Sequence, residues 1–163
     1  MDEPAHSIWH DIAASGLAVF VRENAWAYPI LETLHIFGLA IVFGGMVILD
    51  LRLLGFGSAL PADRLARHVL PLVWFGFGLN VISGSLLFAS DAVEFASNTS
   101  LRVKLALLAA AGLNAFFYQR FEARRRASSV APSLNDPTRV FAVVSLLLWV
   151  GVVTAGRMIA YIK

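Results

Sequence analysis

The chain has 163 residues, of which 58% are hydrophobic and 15% charged, with a mean hydropathy of +0.72 and a formal net charge of +2 at pH 7. So apolar a composition excludes an ordinary soluble domain and points to an integral membrane protein. Cysteine is absent, which excludes thiolate-held metal and disulfides.

Residues 1–24 form a separate piece. Asp2 and Glu3 stand where a signal peptide would be basic, and no apolar run with a small-residue cleavage site follows, so the N-terminus is expected to be retained. Ile8, Trp9, Ile12, Ala13, Gly16 and Phe20 recur at helical spacing, with His6, His10, Asp11 and Arg22 largely elsewhere. This pattern predicts an amphipathic helix lying in the membrane interface. His6 and His10, four residues apart, have metal-ligand spacing, but on an exposed helix face such a pair reads first as solvated surface.

The rest, 25–163, reads as one domain of four membrane spans, at about residues 25–49, 69–89, 101–121 and 140–162. Each window of roughly 20 residues crosses a ~30 Å hydrocarbon core at 1.5 Å per residue. Lipid tolerates only helices or closed barrels, and the alternation of a barrel is missing, so the predicted fold is an all-α four-helix bundle. The segment 127–137, rich in Ser and Pro, reads as a loop, with Asn135 or Asp136 near Pro137 helping to start span four.

Most of the 13 Lys and Arg fall in two loops, after span one (Arg52, Arg64, Arg67) and after span three (Arg120, Arg124, Arg125, Arg126, Arg139). The positive-inside rule then puts these loops in the cytoplasm and both termini in the periplasm of a bacterial inner membrane. The Arg120–Arg126 run reads as a topology determinant on anionic lipid rather than a nucleic-acid patch. No nucleophile elbow, phosphate loop, zinc-protease helix or dinucleotide fingerprint is present.

Polar residues inside the spans converge on the periplasmic half. His35 lies on the order of 12 Å into span one, Lys104 near the outer end of span three, Arg157 near that of span four, and Asn80, Ser83 and Ser85 in the middle and outer half of span two. Tyr28, Glu32 and His35, at i, i+4 and i+7, stack on one helix face, so that Glu32 could bond one ring nitrogen of His35 and leave the other free as a ligand. The bland alternative has His35 bonding a serine or a carbonyl across the bundle. Gly76, Asn80 and Gly84 make a small-residue stripe on span two, suited to close helix packing or to a flat macrocycle. Lys104, Arg102 and Arg157 either snorkel to the interface or neutralise an anionic ligand.

Leu34-His35-Ile36-Phe37-Gly38, Phe43-Gly44-Gly45, Leu51-Arg52-Leu53, Pro71, Lys104-Leu105-Ala106-Leu107-Leu108 and Phe117-Tyr118 resemble the small membrane-bound protoporphyrinogen oxidases. The likeness to copper-resistance D-type membrane domains is looser. Trp26, Tyr28-Pro29, Glu32, His35, Gly38, Asp50-Leu51-Arg52-Leu53 and Lys104 also resemble a pattern in a bacterial family of four-span proteins. The oxidase resemblance implies haem b with His35 as the iron ligand and Lys104 as a functional partner. Where that pattern expects a further histidine in span three, this chain has Asn114.

Three readings follow. The leading one is a haem b protein for electron transfer or porphyrin oxidation, with His35 on the metal and Lys104, Arg157, Glu32, Tyr28 and Asn80 around the cofactor. The second is a transporter-like protein that handles protons or metal ions through Glu32 and His35. The third is a structural or accessory subunit of a homo-oligomer or larger membrane complex, which would be colourless and tolerate His35→Gln.

Overall fold

The computed structural model describes residues 8–57, 59–127 and 137–162. Asp2, Glu3, His6 and most of the expected loop, residues 128–136, lie outside the described residues. Everything described is helix or short connection, and four helices are long and apolar enough to cross a membrane. The chain is an all-α, multi-pass membrane protein.

The N-terminal piece is two short helices instead of one, α1 (Ile8–Ala13) and α2 (Gly16–Glu23). The break comes at Ser15, whose extended backbone and hydroxyl cap α2 by accepting from the Ala18 amide at 3.4 Å. Helix α2 buries Ala18 and Val21 and leaves Leu17 and Phe20 exposed. The piece is tied to the end of the second span: Arg22 donates to the Ser90 carbonyl at 2.9 Å, and the Trp9 and Phe88 rings meet edge to face at 5.7 Å.

The spans are α3 (Ala27–Leu54), α4 (Ala62–Ser90), α6 (Thr99–Ala127) and α7 (Thr138–Met158). The first three overrun their hydropathy windows. Helix α4 starts earlier than expected because Asp63, Arg64 and Arg67 lower hydropathy without disfavouring helix, and all three lie at the surface. Helix α6 likewise runs on through Arg120, Arg124 and Arg125, with Arg125 paired to Glu122 at 2.8 Å. Gly55, at φ 109°, ends α3 in a left-handed turn.

A six-residue helix, α5 (Ala92–Ser97), joins α4 to α6 and was not expected from the sequence. Asn98, 3% exposed, follows it. Its Oδ1 accepts from the Leu101 amide at 3.1 Å, capping α6, while its Nδ2 donates to the Ile159 and Ile162 carbonyls at 3.2 and 2.7 Å beyond the end of α7. One side chain thus satisfies the start of one helix and the end of another. Asn98→Ala is expected to lower stability by about 2 kcal/mol, measured by denaturant unfolding in mixed micelles, while Asn98→Asp keeps the α6 cap and loses only the α7 contacts.

Helix α3 packs along both α4 and α7, and α6 packs along α7. Val42, Val73, Ala111, Trp149 and Val152 form the core, with Met46 and Leu107 against it. Most other apolar side chains, among them Phe37, Phe75, Ile82, Leu105 and Leu147, face outward, as lipid contact requires.

Candidate functional site

His35 sits between α3, α4 and α6. Its Nδ1 lies 3.0 Å from Ser83 Oγ on α4, and its Nε2 lies 3.3 Å from Lys104 Nζ on α6. Ser83 is fully buried and its hydroxyl donates to the Leu79 carbonyl at 2.7 Å. With Lys104 carried as an ammonium, these contacts fix the proton positions. A cationic ammonium can only donate, so Nε2 accepts; Nδ1 then carries the ring proton and donates to Ser83, whose own proton goes to Leu79. The chain of donors runs one way from α6 through α3 to α4.

Two cations 3.3 Å apart would repel by about 5 kcal/mol at an effective dielectric of 20, so the pair does not carry two positive charges at once. Moving one proton across that gap relocates the charge from lysine to imidazole without changing the total. Two bases in contact, one of them oriented by a serine, are an arrangement that can share a proton.

Helix packing explains why the histidine points here. Gly84 has no side chain, and a Cβ there would lie 3.0 Å from His35 Cε1. Gly76 and Gly38 bring the α3 and α4 backbones together further along, where a Cβ on Gly38 would meet Asn80 Nδ2 at 2.7 Å and the Gly76 carbonyl at 2.9 Å. Gly156 of α7 gives the Lys104 stem its room, with a Cβ there 3.6 Å from Nζ. The stripe on α4 is therefore filled by α3 itself.

The expected site residues divide. His35 and Lys104 come together; Asn80 lies beside them but spends its Nδ2 on the Gly76 carbonyl at 3.1 Å. Glu32 does not bond His35. It is exposed, one turn nearer the mouth, where Tyr28 has Glu32 and Asp91 as its charged neighbours. The i, i+4, i+7 spacing is real, but α4 reaches only His35 with a buried polar partner. Arg157 is exposed and reaches Tyr161, just beyond the end of α7, its guanidinium 4.9 Å from the Tyr161 ring centre and 2.6 Å from its hydroxyl. Arg102 bonds the Ala96 carbonyl, Ser85 is exposed, and Asn114 ties α6 to α7 through the Phe141 carbonyl at 3.0 Å.

These residues do not fit haem iron on His35 as they are arranged. Both ring nitrogens are engaged, and the space next to Gly84 that a macrocycle would need holds the imidazole. Among the described residues no three His, Cys, Asp or Glu converge to hold a metal ion.

One buried ionisable group entered the sequence reading only within the Asp50-Leu51-Arg52-Leu53 pattern, with no role given to it. Asp50, 3% exposed near the far end of α3, has Ser145 of α7 as its hydrogen-bonding neighbour, and its Oδ2 has no partner. Gly38 and Gly45 face α4, whereas Asp50 lies on a different side of α3, toward Ser145 of α7.

No curated protein and no solved structure matches the chain, so the comparisons add no likeness to the porphyrin oxidases or copper-resistance domains. A family model matches residues 9–162, from α1 past the end of α7, and by it the chain belongs to the family of unknown function DUF6644.

Proposed function

We propose that this protein handles protons within the bilayer, as a transporter-like carrier whose working group is the His35–Lys104 pair. The observation that supports this reading is the position of one imidazole inside a span, held between an ammonium at 3.3 Å and a buried serine at 3.0 Å. Ionisable groups at that depth are costly, and helix packing alone gives no reason to keep both. A basic end facing the cytoplasm of a bacterial inner membrane, from the arginine distribution, would put the pair in the periplasmic half.

The test uses the purified protein in liposomes with an entrapped pH indicator and an imposed potassium potential. Protein-dependent proton movement is expected, and it should be lost in His35→Gln while Arg139→Gln, exposed at the opposite end of α7, leaves it intact. Proton movement no faster than in empty liposomes would overturn the reading. So would a Soret band in the oxidised and dithionite-reduced spectra that disappears in His35→Ala, because that outcome returns His35 to iron.

A further inference from the structure

At the arginine-rich end of the bundle lies a second polar site, independent of His35. Asp50 is fifteen residues further along α3, about 22 Å at 1.5 Å per residue, and the apolar core around Val42, Trp149 and Val152 lies between the two. Its carboxyl is 3% exposed, Ser145 beside it is 5% exposed, and Oδ2 is buried without a hydrogen-bond partner. Asp50 makes no ion pair among the described residues.

Among the described residues, the charged groups of this end do not reach it. On α4, Asp63, Arg64, Arg67 and His68 lie at the surface, with His68 Nδ1 on the Arg64 carbonyl at 2.8 Å; on α7, Arg139 is exposed. Arg52, two residues along α3 from Asp50, donates to the Leu60 carbonyl. From α7 the group facing Asp50 is the neutral hydroxyl of Ser145.

A carboxylate held this way, with one oxygen orphaned and no counter-charge, is strongly disfavoured in its charged form. Metal would need several more oxygen or nitrogen ligands, and no such cluster surrounds it among the described residues. A proton needs neither cavity nor ligand shell. We propose that Asp50 is a second proton-binding site, on the opposite side of the apolar core from His35, where Oδ2 takes up and releases a proton while Ser145 holds the other oxygen.

The experiment is pH-difference infrared spectroscopy of the whole protein in lipid. The expected result is a carboxylic-acid carbonyl band that appears and disappears reversibly with pH, shifts down in deuterium oxide and is missing in Asp50→Asn. Ser145→Ala should keep the band and move its frequency, which identifies the site even where the asparagine variant folds poorly. His35→Gln should leave the band in place, so failure of the His35 reading and failure of this one are distinct results. A protein with no such band, or with a band unchanged in both Asp50→Asn and Ser145→Ala, overturns the proposal.

Discussion

Gly76→Ala is expected to cost the protein about 2–3 kcal/mol of stability, and Gly38→Ala a similar amount. At Gly76 a new methyl would sit 2.8 Å from Ile41 Cγ2 and 3.0 Å from the Gly38 carbonyl; at Gly38 it would meet the Gly76 carbonyl at 2.9 Å. Side chains can rotate away, but a helix carbonyl cannot, so α3 and α4 would have to separate along their longest shared contact. Gly44 and Gly78 lie on the same two helices, and a methyl at either would have nothing within 4 Å, so alanine there should be neutral or slightly stabilising. Unfolding of all four variants in lipid-detergent micelles would decide the matter. Equal stabilities for Gly76→Ala and Gly44→Ala would mean that the close crossing of α3 and α4 does not hold the bundle together.

The membrane class and the four spans were legible because lipid imposes one dominant signal, a long apolar run, that local propensity cannot override. Their ends were not. Hydropathy stops at the first charge, whereas the helices continue until a backbone signal ends them, such as left-handed Gly55 after α3. The division between α1 and α2 rests on one serine cap, and α5 on six residues that no periodicity distinguishes from a loop. In the site, His35 and Lys104 were placed in the same half of the bundle, but their direct contact was not legible, since it depends on how far the Lys104 side chain reaches from α6, which packs along α7. Glu32 was misplaced for a related reason. Spacing along one helix says which side chains line up, not where the neighbouring helix stops covering them. Asp50 was given no role because a carboxylate near a span's end reads as a border residue, and only the packing of α3 against α7 shows that it turns inward to Ser145.

His35→Leu is expected to destabilise the protein by about 3 kcal/mol, more than a cavity of that size would explain. It leaves the half-buried Lys104 ammonium without the acceptor now 3.3 Å away and Ser83 Oγ without its donor. Lys104→Met alone should cost less, about 1–2 kcal/mol, because it orphans a neutral ring nitrogen and not a charge. The double variant removes both ends of the contact and lets leucine and methionine pack together, so it should be more stable than the sum of the single losses by about 1 kcal/mol or more. A double-mutant cycle in the same micelles measures that difference. Losses that add to within about 0.5 kcal/mol would mean that the two groups do not interact in the membrane, and the proton-holding pair would fall with them. A coupled cycle accompanied by proton movement that His35→Gln abolishes would assign the contact to function, since a purely structural pair predicts the coupling and not the transport.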